Sequence, residues 1–153
     1  SEILTMQTSL KHLSSREISY CTADKGNACG ICPKCFRRTC IEQFVTGRNV
    51  DFTPFNNPHV NAILNNKPLY FGHIYAGLIS AKWKEPDLVG ERFDFLPRNN
   101  SFTLGFNPES LLFMPNELQK DIKAILYDNY RPMSKDEIIQ MKSWNQASMN
   151  HSK

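Results

Sequence analysis

Residues 21–35, CTADKGNACGICPKC, place four cysteines close together in the spacing C-x7-C-x2-C-x2-C. A structural zinc ion takes four tetrahedral ligands, and a C-x-x-C turn holds two thiolates on one side of the ion. Two overlapping C-x-x-C steps and one upstream thiol supply four such ligands. The segment therefore predicts a structural zinc site that leaves no open position for a water nucleophile. The predicted ligands are Cys21, Cys29, Cys32 and Cys35.

Two other uses of clustered cysteines are weighed against zinc. Disulfides are typical of secreted proteins, but the first residues, SEILTMQTSLKHL, lack the basic and apolar regions of a signal peptide. A total of five cysteines would also leave one thiol unpaired. A thioredoxin-like pair would open a helix after a strand, without further cysteines beside it. Both uses stay open as alternatives to zinc.

The fifth cysteine, Cys40, belongs to a different pattern. The segment 33–47, PKCFRRTCIEQFVTG, has Pro33 in its first turn and Gly47 at its end, which predicts a helix. Phe36, Cys40 and Phe44 recur every four residues and so share one face of that helix. We therefore interpret Cys40 as a core residue and not as a metal ligand.

Composition and charge exclude several classes of protein. The chain has 153 residues, of which 41% are hydrophobic and 22% charged, as in a folded domain or a large piece of one. It contains no uninterrupted apolar run of the roughly 18 residues that a membrane helix needs. A net charge of +3 is too small to indicate an electrostatic nucleic-acid binder. We expect a cytoplasmic protein without a membrane span.

Helix signals beyond the cysteines predict a mainly α fold. We divide the chain into a zinc-binding segment (1–47), a linker (48–57), a helical extension (58–148) and a frayed tail (149–153). Within the extension, 83–106 lacks a helical period and predicts an extended surface connection. The apolar stripe of each helix is expected to face the core. Helix starts are signalled by Asn57-Pro58, Pro68, Asn107-Pro108, Pro115 and the capping box of Ser134 with Glu137.

The stretch 19–38, SYCTADKGNACGICPKCFRR, resembles the zinc-bearing C-terminal segment of 7-cyano-7-deazaguanine synthase and its relatives. These are adenine-nucleotide α-hydrolase-like ATP pyrophosphatases of queuosine precursor synthesis. Their pattern is a Ser-Cys-Tyr run, the same four-cysteine spacing, and an arginine three positions after the last cysteine. Here the order is Ser19-Tyr20-Cys21, and Arg38 stands at the arginine position. The resemblance covers about residues 1–45.

The resemblance implies that the chain is the C-terminal part of a larger α/β enzyme. Such an enzyme converts 7-carboxy-7-deazaguanine to the nitrile with ATP, Mg²⁺ and ammonia. Its partner here would be an N-terminal ATP-pyrophosphatase domain or subunit. The family's ATP site is a Ser-Gly-Gly-x-Asp-Ser loop, and this chain contains no Gly-Gly pair. We therefore expect no activity from this chain alone.

The resemblance also leaves roles and settings open. Arg38 would either hydrogen-bond the zinc thiolates and nearby carbonyls or reach a substrate phosphate or carboxylate. More than a hundred residues follow the cysteine helix. This extension is longer than in the synthases, and in this respect the chain resembles divergent relatives in bacterial antiphage defence. A non-enzymatic zinc module that binds a protein or nucleic acid is the competing class. Pairing of the chain with a second copy is a further alternative.

Overall fold

The computed structural model describes residues 2–13, 28–67, 69–98 and 100–150. Within these residues the protein is mainly α-helical, which confirms the predicted fold class. None of the described helices is long and apolar enough to cross a membrane. Its α-helices are α1 (Glu2–His12), α2 (Pro33–Thr46), α3 (Pro58–Leu64), α4 (Gly72–Ser80), α5 (Asn116–Asn129) and α6 (Lys135–Asn150). Short 3₁₀ helices are η1 (Thr53–Phe55), η2 (Gly90–Phe93), η3 (Phe102–Leu104) and η4 (Pro108–Phe113).

Helix α2 begins and ends where the sequence signals it, and α3 begins at its predicted start. Pro33 occupies the first turn of α2, where its missing N–H costs nothing. Gly47 ends the helix in a left-handed conformation with φ of 66°, and its N–H donates to the Gln43 carbonyl. The Asn57 side chain caps α3 by accepting the N–H of Val60 at 3.0 Å. Pro33 and Gly47 thus mark the two ends of α2, the helix that carries the last predicted zinc ligand.

The start of α6 confirms the predicted capping box. The Glu137 carboxylate accepts the Ser134 N–H at 2.9 Å, while the Ser134 hydroxyl accepts the Glu137 N–H at 3.2 Å. Arg131 adds a bidentate pair to the same carboxylate at 2.6 and 2.7 Å, and the Ser101 hydroxyl also donates to it. Hydrogen bonding to Arg131 lowers the pKa of Glu137 to about 2, although burial opposes the shift. Glu137 thus joins α6 to the segment around η3.

The hydrophobic core extends across the predicted boundary at 48–57. Phe55 of η1 and the neighbouring Phe52 lie 5.5 and 5.9 Å from the Phe36 ring, measured between ring centroids. The segment therefore contributes aromatic side chains to the core beside α2. The buried core includes Ile3, Met6, Phe36, Cys40, Ile41, Val60, Leu64, Ile74, Tyr75, Leu78, Val89, Phe93 and Leu96.

The prediction that 83–106 lies at the surface is wrong, because the segment is part of the core. Val89, Phe93 and Leu96 are buried, and the Phe93 ring lies 4.7 Å from that of Tyr75 on α4. The segment folds through η2 and η3, and 3₁₀ turns do not repeat with the 3.6-residue period of an α-helix. The apolar residues of this segment therefore do not recur with the period of an α-helix, and the sequence pattern does not indicate their burial.

Helix α4 begins later than its sequence signal. Pro68 was expected to open it, but Leu69 and Tyr70 precede the first helical residue, Gly72. Phe71 stands before it in the left-handed region, with φ of 58°. Ile74, Leu78 and Ile79 are buried as predicted.

The apolar stripe of α5 is not core, contrary to the expectation from its sequence. No residue of α5 is buried, and Leu118 and Ile125 are about half exposed. An amphipathic sequence shows that one side of a helix is apolar but not that the fold covers it. Residues 14–20, part of the predicted zinc-binding segment, lie outside the described residues. The predicted tail overlaps the end of α6 at 149–150, and the rest of it is not described.

Candidate metal centre

Three of the predicted ligands lie in a tight turn and the helix start that follows it, residues 28–35, which we name the knuckle. Gly30 has a φ of 74°, a conformation that glycine adopts without strain. Cys32 is extended at the N-cap of α2, and Cys35 follows in the first helical turn. The Phe36 N–H donates to the Cys32 carbonyl at 2.9 Å and closes that turn. The backbone thus directs three thiols to one place.

The three sulfur atoms form a cluster with the dimensions of a tetrahedral metal site. The Sγ atoms of Cys29, Cys32 and Cys35 all lie within 4.8 Å of one another. Cys29 and Cys35 are 3.8 Å apart. Two thiolates bound to one tetrahedral zinc ion at about 2.3 Å also lie about 3.8 Å apart. The sulfur cluster can therefore hold a zinc ion without a large rearrangement of the knuckle.

The surroundings of the cluster distinguish its members. Cys35 is buried, whereas Cys29 and Cys32 are half-buried. Burial raises the pKa of the Cys35 thiol to about 12, and the neighbouring thiols add to the rise, while a hydrogen bond from the Gly30 backbone lowers it. A cation among the sulfurs would favour the thiolate form and displace the protons. None of these three cysteines, nor Cys40, forms a disulfide.

The knuckle is held against α3 by a contact that the sequence did not predict. The Asn57 side-chain amide donates to the carbonyls of Ile31 at 2.9 Å and Pro54 at 3.2 Å. The same side chain caps α3 through its oxygen. Asn57 therefore connects the tip of the metal turn to the next helix, although it was recognised only as a helix start.

Arg37 is a second residue whose role the sequence did not reveal. It pairs with both carboxylate oxygens of Glu2, at 2.8 and 3.0 Å. Its guanidinium also lies 3.6 Å from the centre of the Phe71 ring. Arg37 thus fastens α2 to α1 and to the residue before α4, beside the knuckle. Its partners lie more than thirty positions away in sequence, so no local pattern signalled the contact.

The remaining predicted site residues have different outcomes. Cys21, the proposed fourth ligand, lies outside the described residues. Arg38 is half-buried on α2, about one turn after Cys35. The choice between a role at the thiolates and a role at a substrate stays a prediction. Cys40 is fully buried, which confirms that it is a core residue. Burial raises the pKa of its thiol well above the usual value.

The chain belongs to a family whose model matches residues 1–145 and whose description is "Family of unknown function (DUF6395)". No curated protein and no solved structure matches the chain. The family model spans both the knuckle and the later helices. The family thus extends over the whole arrangement described above and not over the cysteines alone.

Proposed function

We propose that this chain is the zinc-stabilised C-terminal part of a 7-cyano-7-deazaguanine synthase-like ATP-dependent enzyme. The 3.8 Å separation of two sulfurs in a three-thiol cluster is the observation that best supports zinc. The four-cysteine spacing and the position of Arg38 support the relation to the synthase. Zinc-bound thiolates are typical of reducing compartments, and we place the enzyme in the cytoplasm.

In this proposal zinc has a structural role. Cys21 supplies the fourth thiolate, so that no coordination position is left for a substrate or a reacting water. Cys32 and Cys35 stand at the N-cap and in the first turn of α2, and Cys29 stands before them. An ion shared by these groups would hold the start of α2. The same helix carries Arg37 and Arg38. The metal thereby orders the helix that would present Arg38 to its partner group.

ATP and Mg²⁺ belong to an N-terminal ATP-pyrophosphatase domain or subunit in this proposal. Stabilising a leaving pyrophosphate needs closely placed backbone donors or cations. The chain has no Gly-Gly pair from which the family's phosphate loop is built. The isolated chain should therefore show no ATP turnover. In the complete enzyme the expected reaction is conversion of 7-carboxy-7-deazaguanine to the nitrile.

The metal is tested by measuring the zinc content of freshly purified, reduced chain. One zinc per chain is expected, with loss of the metal in Cys21→Ser and Cys32→Ser. Cys40→Ala is the matched control, because it removes a buried thiol outside the cluster and should leave zinc content unchanged. Zinc content well below one per wild-type chain would contradict the proposal.

The reaction is tested with the complete reading frame, supplied with 7-carboxy-7-deazaguanine, ATP, Mg²⁺ and ammonia. Mass spectrometry should detect the nitrile, and Arg38→Ala should lower its yield more than Lys34→Ala, which changes an exposed lysine of the same helix. Zinc without nitrile would reject the synthase and leave two other candidates. Protection of cells from phage infection would then favour a synthase-like defence protein. A gel shift with RNA or DNA would instead favour a non-enzymatic zinc module that binds nucleic acid.

A further inference from the structure

An open groove lies between the chain that follows α2 and the chain that follows α4. One end of the groove is a cavity of about 510 Å³, lined by Arg48 from the first segment and by Lys82 and Lys84 from the second. Among the described residues that line this cavity there is no acidic side chain, so the three cations give it a local charge of +3. We name these three residues the basic end of the groove.

The charged groups of the basic end are not used by the fold. Within the part of the chain that the structure describes, none of the three side chains makes an ion pair, a hydrogen bond or a contact with an aromatic ring. Helix α4 is capped without them, because the Lys82 N–H donates to the Ile79 carbonyl at 2.9 Å and the Trp83 N–H to the Leu78 carbonyl at 3.0 Å. Like charges around one cavity repel one another, and a bound anion would offset that repulsion.

The backbone holds two of the cations in place at the end of α4. Lys82 has a φ of 60°, in the left-handed region where glycine would be the less strained residue. The next residue, Trp83, is buried, and its indole N–H donates to the side chain of Gln43 on α2 at 2.9 Å. Trp83 therefore anchors Lys82 and Lys84, which flank it, beside the end of the helix that Arg48 follows.

The other end of the groove has the opposite charge. It is a second cavity of about 770 Å³, which meets the first at Asn49 and Lys84. Asp51 and Asp87 line it and make no ion pair with a described residue, whereas Glu85 is already paired with an arginine. We name Asp51 and Asp87 the acidic end. Carboxylates accept hydrogen bonds from hydroxyl and amino groups but repel phosphates.

We propose that this groove binds a small phosphate monoester whose other end carries hydroxyl or amino groups. The phosphate, with a charge of about −1.5 to −2 at neutral pH, lies at the basic end, where Arg48 and the two lysines donate to it. The hydroxyl or amino groups of the ligand donate to the acidic end. Opposite charges at the two ends favour such a ligand over RNA or DNA, whose negative charge extends along the whole strand. This inference does not depend on zinc or on the synthase relation.

Isothermal titration calorimetry of the full chain tests the proposal with ribose 5-phosphate as the probe. We expect a dissociation constant below about 1 mM, at least about tenfold tighter than that of inorganic phosphate. Absence of ribose 5-phosphate binding up to about 10 mM would overturn the proposal. Equal affinity for the ester and for inorganic phosphate would also reject it, because the acidic end would then contribute nothing. A short single-stranded RNA that binds when ribose 5-phosphate does not would assign the basic end to nucleic acid instead.

Lys82→Gly separates binding from folding. Glycine suits the left-handed backbone at this position, so the variant should melt at or above the wild-type temperature. It should nevertheless raise the dissociation constant for ribose 5-phosphate about tenfold, because one charge-assisted hydrogen bond is lost. Lys120→Ala, which removes an exposed lysine of α5 outside the groove, is the matched control and should leave the constant unchanged. A folded Lys82→Gly with wild-type affinity would show that the basic end is not the phosphate site.

Asp51→Asn tests the orientation of the ligand. The variant keeps an oxygen that can accept the Thr53 N–H, which Asp51 accepts at 2.8 Å, but it removes the charge. The affinity for ribose 5-phosphate should fall about fivefold, while that for inorganic phosphate should not fall. Tighter binding of ribose 5-phosphate by Asp51→Asn would mean that Asp51 only repels the phosphate, and the proposed orientation would be wrong.

Discussion

Helices α2 and α5 are both fourteen residues long, but the fold uses them differently. Helix α2 buries Cys35, Phe36, Cys40 and Ile41, and α5 buries no residue. Helix α2 is also held at its start by the knuckle and along its side by the Arg37–Glu2 pair. Helix α5 has a clear apolar stripe without a comparable set of contacts. The comparison shows that the position of neighbouring elements, and not amphipathicity, decides whether an apolar stripe becomes core.

The strongest expected difference between the two helices follows removal of the metal. Chelation should lower the melting temperature by about 10 °C or more, equivalent to roughly 3–5 kcal/mol for a chain of this size. Amide hydrogen exchange should accelerate in the first turns of α2 and stay unchanged in α5. Equal acceleration in both helices would mean that the metal stabilises the whole chain and not the knuckle and α2 in particular.

Truncating a buried side chain of α2 should have the next largest effect on stability, because it leaves a cavity in the core. Phe36 is 1% exposed and contacts Phe52, Phe55 and Tyr75, so Phe36→Ala should cost about 3–5 kcal/mol. Phe95→Ala is the control, and we expect it to cost less than about 1 kcal/mol because Phe95 is partly exposed. Denaturant unfolding measures both. Similar losses for the two variants would show that α2 is not the centre of the core.

Close packing of α4 against η3 gives a third prediction. A Cβ atom at Gly77 would lie 1.7 Å from the Thr103 hydroxyl oxygen and 3.0 Å from its Cβ. Gly77→Ala should therefore force the two elements apart and destabilise the protein by roughly 1–3 kcal/mol. At Gly72 the nearest atom would be 3.4 Å away, so Gly72→Ala should be tolerated within about 1 kcal/mol. Thermal unfolding of both variants checks the contrast.

Acid should weaken the contact that holds α6. The pKa of Glu137 is lowered to about 2 in the folded protein, below the value of about 4.3 for a free side chain. Its contribution is therefore complete above pH of about 5 and declines as the pH falls toward 2. Compared with wild type, Glu137→Gln should be less stable at neutral pH and should lose less stability on acidification. Exposed Glu91→Gln is the control, and a pH profile parallel to that of Glu137→Gln would contradict the assignment.

The smallest effect is expected on the exposed side of α5. Ile125 is 58% exposed, so Ile125→Ala should change the free energy of unfolding of the monomer by less than about 0.5 kcal/mol. Unfolding should be measured at a protein concentration at which sedimentation velocity shows a monomer. A loss of 2 kcal/mol or more, as for a buried isoleucine, would show that α5 is packed in solution and remove the contrast with α2.

Local patterns in the sequence predicted much of the fold and the grouping of three described cysteines that could hold a metal ion. Pro33 with Gly47, Asn57 with Pro58, and Ser134 with Glu137 mark helix ends through contacts within a few residues, so they can be recognised without a structure. Cysteine spacing is equally local, because a C-x-x-C turn dictates where its thiols point. Cys40 was separated from the ligands by its place in a helical stripe.

Contacts between distant residues were decided only by the tertiary structure. Arg37 finds Glu2 across 35 positions and Phe71 across 34, and Asn57 reaches the carbonyl of Ile31 across 26. The segment 83–106 enters the core through 3₁₀ turns whose period a helical search does not detect. The α5 stripe, which by its sequence should be core, is left open. Sequence determines which side chains are apolar or able to bind a metal, whereas their burial and partners depend on chain segments that meet only after folding.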